Sequence, residues 1–230
     1  MSKRGFIILL SILLVAILSG WFAYEKYWEY RVKEGAKALG YELNEEEVKY
    51  WVKRIRSYNR LDGFDEDIEK FLDQDRIDPP PENAFLFIGS SSIRLWKTLE
   101  EDMKPLKVIN RGFGGAHTKH INRHKNKIVF AYNPKAIVFF CGTNDLTALK
   151  TPEETLKDFK KFLNLVRNEF GNIKVYVIGI KPTVDRLYLD KEERIFNSSI
   201  QLLASDDAYL EYINIWDPML NQDGTRMPEL

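Results

Sequence analysis

Residues 84–96 read Ala84-Phe-Leu-Phe-Ile-Gly-Ser-Ser-Ser-Ile-Arg-Leu-Trp96, and they indicate the fold class more clearly than any other part of the chain. The first five residues form a short apolar run that Gly89 closes, a pattern typical of a strand buried on both faces. A helical pattern begins directly afterwards at Ser92. Because a buried strand that leads at once into a helix is the repeating unit of parallel sheets, this stretch predicts an α/β domain.

The same alternation continues towards the carboxyl end of the chain. Four further apolar runs predict strands, at 106–110, 136–141, 173–180 and 212–216. Helical patterns separate the strands, at 92–101, 119–130, 152–170 and 191–204. Strand and helix repeated at this spacing predict a parallel sheet with helices packed on its faces. In such sheets the reactive groups collect where the strands end and the loops begin.

The amino-terminal region has a different composition. Lys3 and Arg4 precede an uncharged, mostly apolar run over residues 5–24, and about 20 helical residues span the roughly 30 Å hydrocarbon layer of a bilayer. We predict a single-pass signal anchor over residues 1–24 rather than a cleaved signal peptide, because no lipobox cysteine or clear cleavage site is present. Basic residues lie on both sides of the run, so the positive-inside count is ambiguous. The short basic start resembles an export signal and favours a globular part outside the cytoplasm.

The segment between the apolar run and the α/β pattern is charged and aromatic. Apolar residues at helical spacing predict a helical spacer over residues 25–63, and Asn44 followed by three glutamates is typical of a helix start. A partner-binding helix is the alternative interpretation of the same charge pattern. The globular domain is predicted over residues 64–230.

The charge balance and the glycine pattern exclude two classes of function. Lys plus Arg and Asp plus Glu both number 34, so no basic excess exists to neutralise nucleic-acid phosphates. The glycine-rich loop at 110–115 fails as a dinucleotide fingerprint, because His117 stands where the third glycine is required. No cofactor is therefore predicted. The single cysteine, Cys141, is interpreted as a buried structural thiol, and the sequence gives no oligomeric state.

The chain has three histidines, and they are spaced to share one face of a helix: His117, His120 and His124. A metal site is not predicted, because the His-Glu-x-x-His pattern is missing and no acidic ligand lies nearby in the sequence. His117 is predicted to line a substrate pocket, with a role as substitute base as a less favoured alternative. His120 and His124 are predicted to be solvated surface residues.

Polar residues follow the first three predicted strands. Ser91, in the turn after the first strand, is either a nucleophile or one of several serines that cap the next helix. The second strand ends in Asn110-Arg-Gly-Phe-Gly-Gly115, which allows a close backbone approach to a bound group. The third ends in Gly142-Thr-Asn-Asp145, where Asn144 presents an amide donor or simply forms a turn.

Taken together and in this order, the three motifs resemble the first signature blocks of the SGNH/GDSL hydrolases. The nucleophile turn is similar to that of a bacterial branch that writes Gly-Ser-Ser-Ser, and Ile180-Lys-Pro182 and Asp217-Pro-Met-Leu220 resemble later landmarks of that branch. The likeness covers roughly residues 64–230. It implies a flavodoxin-like, three-layer α/β/α sandwich with five parallel strands. It also implies hydrolysis of carboxylic esters, such as acylated sugars, lysophospholipids or short acyl esters.

The resemblance assigns roles to individual residues. Ser91 would be the nucleophile, and the oxyanion would be bound by its backbone N–H, the backbone N–H of Gly115 and the side chain of Asn144. His117 and Lys181 are predicted to contact substrate, although Lys181 equally fits a pairing with a carboxylate.

One part of the family pattern is missing from these 230 residues. The family takes its base and acid from an Asp-x-x-His block after the last strand, whereas here Asp217 is followed three places later by Leu220, and Asp223 by Arg226. We therefore expect this chain by itself to be inactive. Two hypotheses follow: a carboxyl-terminally incomplete piece of a membrane-anchored esterase, or a catalytically dead, membrane-tethered binding module.

Overall fold

The computed structural model describes residues 13–37, 40–58 and 60–228, and gives the helical backbone alone for residues 3–12 and 38. The chain divides into two compact units, Met1–Ser57 and Tyr58–Leu230. The second unit thus begins six residues before the domain start predicted at residue 64.

The amino-terminal unit consists of two helices, α1 (Lys3–Ala38) and α2 (Glu45–Tyr58). The cap predicted at Asn44 is confirmed, since its side-chain oxygen accepts the N–H groups of Glu46 and Glu47 at 3.0 Å each. Near the other end of α2, Arg56 forms an ion pair with Glu25 of α1. The two helices therefore form a hairpin, so the segment predicted as a spacer folds back on itself.

Within the residues that the structure describes, no helix carries a stretch both long and apolar enough to cross a membrane. The transmembrane helix predicted over residues 1–24 is therefore not found. Its first twelve residues lie outside the part of the chain whose side chains are described, and the remaining twelve are fewer than the roughly 20 apolar residues that a crossing needs.

The second unit contains the predicted five-stranded parallel sheet. Its strands are β1 (Phe85–Gly89), β2 (Val108–Gly112), β3 (Ala136–Phe140), β4 (Lys174–Ile178) and β5 (Leu210–Ile213). They lie in the order β2-β1-β3-β4-β5, and every neighbouring pair is parallel. Gly89 is in register with Gly112 on one side and Phe140 on the other, so the first three strands end at the same level.

Helices connect the strands. They are α3 (Asp65–Ile77), α4 (Ser91–Leu95), α5 (Leu99–Asp102), α6 (Thr118–Ile128), α7 (Thr143–Thr147), α8 (Pro152–Phe170) and α9 (Asp190–Ser205). Helix α8 begins as its sequence suggests, with Thr151 and Glu154 forming a reciprocal capping box.

Several element boundaries differ from the sequence prediction, for example at β2, which begins at Val108 instead of 106. The helix predicted over 92–101 is broken into α4 and α5 at Trp96, whose backbone leaves the helical conformation with a ψ of 80° and whose indole donates to the Asp102 carboxylate at 2.6 Å. Strand β5 ends at Ile213 instead of 216, because Trp216 leaves the sheet and packs between two arginine side chains. The turn expected at 142–145 continues into the short helix α7.

Alternate residues of the strands face two separate apolar layers. Leu86, Phe139 and Val175 face one cluster together with α3, α6, α8 and α9, whereas Phe87 and Val138 face another together with α4 and α5. Burial of each large apolar side chain contributes about 1.5–3 kcal/mol to stability. The sheet is thus covered by helices on both faces, which confirms the predicted sandwich and leaves the carboxyl ends of the strands to carry the polar loops.

Candidate active site

The turn that carries Ser91 is packed directly against the end of β3. A Cβ atom at Gly89 would lie 2.2 Å from the carbonyl oxygen of Phe140, so only glycine lets the two strands end side by side. Ser90 is extended and donates its N–H to the same carbonyl at 3.1 Å. Ser91 is then the first residue of α4, and it is half-buried.

The second loop is fixed to the same turn from the other side. Phe113 donates its N–H to the carbonyl of Gly89 at 3.1 Å. A Cβ atom at Gly112 would lie 2.4 Å from the backbone nitrogen of Arg94, so glycine is required for β2 to pack against α4. Gly115, with a φ of +77°, is exposed at the turn of this loop. The backbone of the second loop thus passes close to the start of α4.

Asn144 connects the third loop to the second. Its side-chain nitrogen donates to the carbonyl of Ala116 at 3.0 Å, and the thiol of Cys141 donates to the same oxygen at 3.3 Å. One of the two amide hydrogens of Asn144 is used in this bond, and the bond fixes the orientation of the half-buried side chain. Cys141 is buried, as predicted. The three predicted oxyanion residues therefore lie on loops that hydrogen-bond to one another.

A buried ion-pair network lies beneath this junction. Asp145 is completely buried and accepts the N–H of Thr118 at 3.1 Å and the Lys150 ammonium at 2.7 Å. Lys150 also contacts Asp158 at 2.6 Å. Burial raises the pKa of Asp145, although Lys150 opposes the shift. Burial works against a charge on Lys150, but the two carboxylates outweigh it and raise the pKa of that ammonium.

The network ties the start of α6 to the third loop, and sequence reasoning missed it. Asp145 was visible only as the last residue of the Gly-Thr-Asn-Asp motif. Lys150 lies five residues further on, a spacing that does not place two side chains on one helix face. Nothing local in the sequence pairs them, since the contact depends on the turn between α7 and α8.

The histidines are placed differently from the prediction. His117 is 2% exposed, and burial lowers its pKa to about 2. Its Nδ1 lies 3.9 Å from an oxygen of Asp145, which is too long for a hydrogen bond. His117 is therefore neutral and packed into the base of the second loop, and its contact with substrate stays a prediction.

The prediction that His120 and His124 are solvated is wrong. His120 is completely buried, with Nδ1 accepting the N–H of His117 at 3.0 Å and Nε2 lying 2.8 Å from the carbonyl of Arg60. His124 is 6% exposed, and its Nε2 lies 3.7 Å from Asp65. Both are covered because the chain before α3 folds over α6, a long-range contact that helical spacing does not reveal.

Lys181 lies just after β4, at the same edge of the sheet as the three loops, and it is half-buried. Its neighbour Ile180 is fixed by the side chain of Asn197, which bonds both backbone groups at 2.8 and 2.9 Å. Among the residues described, no group of three His, Cys, Asp or Glu side chains is arranged to hold a metal ion.

Comparisons with known proteins agree with this geometry. Residues 89–229 match the model of the GDSL-like Lipase/Acylhydrolase family. A search of curated proteins found no match. Among solved structures, a protein from Streptococcus pneumonia aligns with a TM-score of 0.63 and 19% identity, over 80% of this chain and 87% of that one. A GDSL-like lipase from Bacteroides thetaiotaomicron aligns with a TM-score of 0.58 and 19% identity, over 69% and 82%.

At these identities the structural matches establish the fold alone. The family model, in contrast, covers more than half of the chain and includes all three loops described above. The chain therefore belongs to the SGNH/GDSL family of esterase- and lipase-type hydrolases.

Proposed function

We propose that the second unit carries the nucleophile and the oxyanion donors of a carboxylic ester hydrolase that acts through an acyl-enzyme formed on Ser91, and that it needs a base from outside these 230 residues. The observation that carries this proposal is the set of hydrogen bonds between the three strand ends. These bonds join the turn of Ser91 to the loop of Gly115 and join that loop to Asn144. A nucleophile and its oxyanion donors need such fixed relative positions, because preorganised donors require no rearrangement as charge develops.

The chemistry follows from these positions. The Ser91 hydroxyl attacks the ester carbonyl, its proton passes to a base, and the carbonyl electrons move onto the oxygen. The N–H groups of Ser91 and Gly115 and the amide of Asn144 stabilise that oxyanion, and one such donor is worth about 10²–10³ in rate. Collapse of the intermediate expels the alcohol, which takes up the proton. Water then attacks the acyl-enzyme by the same route and releases the acid.

The base is the missing component. The chain has three histidines, and the fold uses each of them elsewhere. Both ring nitrogens of His120 are within hydrogen-bond distance of backbone groups, His117 is buried beside Asp145, and His124 faces α3. We therefore propose that none of them activates Ser91, and that the 230-residue chain alone hydrolyses esters no faster than the buffer does.

The first experiment is to read the coding DNA beyond the Leu230 codon and to assay both products on a short-chain nitrophenyl ester. If the frame continues into an Asp-x-x-His segment, we expect the longer product to be active. Ser91→Ala should then lower its kcat by at least about 10³-fold, whereas the neighbouring Ser92→Ala should retain activity. A Ser91-dependent rate in the 230-residue chain would contradict the proposed inactivity.

A catalytically dead binding module is the second candidate, because the oxyanion loops are intact while no histidine is available to Ser91. A stop codon directly after Leu230 would favour it. An ester or its carboxylate product should then bind the 230-residue chain, and Asn144→Ala should weaken the binding.

We also propose that the protein acts at a membrane, outside the cytoplasm. The support is the sequence of residues 5–24, an uncharged apolar run with a basic start. Membrane fractionation and protease protection of the full chain test this: a soluble protein, or a second unit shielded in the cytoplasm, would overturn it.

A further inference from the structure

Helix α2 returns the chain to the level of Glu25, well inside α1. Glu25 of α1 pairs with Arg56 of α2. The pKa of Glu29 is lowered first by its hydrogen bond to Lys26 and, further, by the charge of Lys49 on α2. Because α2 follows α1 after a short connection and its last turn lies beside Glu25, the two helices run in opposite directions.

Buried apolar side chains support the same arrangement. Val48, Val52 and Ile55 lie at helical spacing along one face of α2, and all three are buried. Val32 of α1 is buried as well. A stripe of this kind is what packs one helix against another.

The charges of the hairpin are segregated along its length. We call residues 34–47 the tip and residues 24–33 together with 48–57 the base. The tip contains five glutamates and one lysine, whereas the base contains seven lysines or arginines and two glutamates. The base is thus strongly positive. It is also the end of the hairpin that adjoins the apolar run of α1.

The base also exposes aromatic side chains. Tyr30 is 61% exposed, Tyr50 56% and Trp51 41%, and the guanidinium of Arg54 lies 6.0 Å from the Trp51 ring. In the part of α1 that precedes the base, every large side chain described from Leu13 to Phe22 is more than half exposed. Aromatic and basic residues next to an exposed apolar segment are the composition that anionic membrane surfaces attract.

We propose that the base of the hairpin binds an anionic lipid surface, with the acidic tip pointing away from it. About 13 residues separate Glu25 from the end of α1, so the tip stands roughly 20 Å further from the lipid. In the sequence, the second unit follows the base directly, beginning at Tyr58.

The test is a depth measurement on the full chain in lipid vesicles. Single-cysteine variants Ser57→Cys and Tyr41→Cys, in a Cys141→Ala background, are labelled with a fluorophore. Quenching by lipids with a nitroxide on the headgroup is then compared. We expect strong quenching at position 57 and none at 41, with a depth difference of about 20 Å. Equal quenching at both positions, or stronger quenching at 41, would overturn the proposal.

The electrostatic part is tested by charge reversal in the same assay. Adding phosphatidylglycerol to phosphatidylcholine vesicles should bring position 57 closer to the headgroups. Each lysine removed from the base should weaken the attraction about fivefold, so Lys49→Glu with Lys53→Glu should abolish the response. Glu45→Lys with Glu46→Lys, a reversal of equal size at the tip, should leave it unchanged. A response independent of lipid charge would contradict the proposal.

The depth measurement requires no catalysis, so its failure is distinct from failure of the proposed function. If position 57 lies at the headgroups but the longer product hydrolyses no ester, the ester hydrolase proposal falls alone. If the product hydrolyses soluble esters while position 57 lies far from lipid, only the lipid-surface inference falls.

Discussion

The candidate site lies at one edge of the sheet, and this edge has two halves. The loops within each half are held together by a different kind of interaction. At the ends of β1, β2 and β3, the loops that carry Ser91, Gly115 and Asn144 contact one another through hydrogen bonds between uncharged groups, beside the buried ion pair of Asp145 and Lys150. Beyond the ends of β4 and β5, the join is ionic. Arg226 is buried and donates to Asp190 at 2.8 Å and to Glu193 at 3.2 Å. We refer to these as the neutral end and the ionic end.

The loop that carries the nucleophile is thus held in place by uncharged hydrogen bonds, whereas the later loops are held in place by ion pairs. Uncharged hydrogen bonds each contribute about 0.5–1.5 kcal/mol and do not respond to pH. A buried ion pair contributes little net stability, because desolvation offsets the attraction, but the loss of one partner leaves the other charge uncompensated. The uncharged hydrogen bonds of the neutral end should therefore tolerate single changes of polar groups, whereas the ion pairs of Arg226 should not.

The largest effect is expected from Arg226→Met. The substitution leaves Glu193, which is completely buried, and the carbonyl of Thr183 without their donor. We expect the free energy of unfolding to fall by about 3–5 kcal/mol, measured by urea denaturation at pH 7.5. Arg194→Met is the matched control. Arg194 also lies over the Trp216 ring, at 4.5 Å, but it is exposed, and its loss should cost under about 1 kcal/mol. Equal losses of stability in the two variants would show that the ion pairs of Arg226 do not hold the ionic end together.

The next largest effect tests the neutral end through its backbone. Gly89→Ala would place a Cβ atom 2.2 Å from the Phe140 carbonyl oxygen, so β1 and β3 would have to separate. We expect a loss of about 3 kcal/mol, at the upper end of the range for overpacking. Gly63→Ala, whose Cβ would meet only one atom, at 3.9 Å, is the control and should change stability by less than about 0.5 kcal/mol. A stable Gly89→Ala protein would show that this close approach is not required.

His120, beside the neutral end, and Glu193, at the ionic end, should differ in the sign of their contribution to the pH dependence of stability. Burial lowers the pKa of His120, beside the neutral end, to about 4. Between about pH 4 and 6.5 the unfolded chain takes up a proton that the folded chain does not. Stability therefore rises with pH there, by about 1.4 kcal/mol per pH unit. Burial raises the pKa of Glu193 to about 7, against the attraction of Arg226. The stability that this proton contributes is complete below the ordinary pKa of 4.5 and is lost as pH rises to 7.

Urea denaturation of His120→Gln and Glu193→Gln between pH 5 and 6.5 separates the two effects. Relative to the parent, the slope of stability against pH should become more negative in His120→Gln, because the contribution that rises with pH is removed. It should become more positive in Glu193→Gln, because the contribution that falls with pH is removed. Each difference should be about 1.4 kcal/mol per pH unit. Slopes of the same sign in the two comparisons would show that the two ends do not differ in this way.

The sequence predicts the neutral end much better than the ionic end. Ser91, Gly115 and Asn144 each follow a strand whose apolar pattern is local, and the parallel arrangement then places them at one edge. The clash that makes Gly89 necessary follows from the same register. Short-range patterns and one topological rule were therefore sufficient for these residues.

The remaining contacts depend on residues that are distant in the sequence. Arg226 bonds to Glu193, 33 residues away, and His120 to the carbonyl of Arg60, 60 residues away. Periodicity describes which face of a helix a residue occupies, but not which loop will cover that face. His120 was therefore predicted on the surface, although its spacing on α6 was read correctly.

The smallest effect is expected when the side-chain hydrogen bond of Asn144, at the neutral end, is removed. Asn144→Ala removes the hydrogen bond to the carbonyl of Ala116, and we expect a loss of only about 1 kcal/mol. Thr147→Ala removes a bond from an exposed hydroxyl to the Thr143 carbonyl, and as the control it should cost under about 0.5 kcal/mol. If Asn144 serves mainly to bind the oxyanion, the ester hydrolysis rate of the longer product should fall about 10²–10³-fold in Asn144→Ala while its stability barely changes. A loss of stability comparable to that of Arg226→Met would instead mean that Asn144 is needed chiefly to join the loops, and the distinction between the two ends would fail.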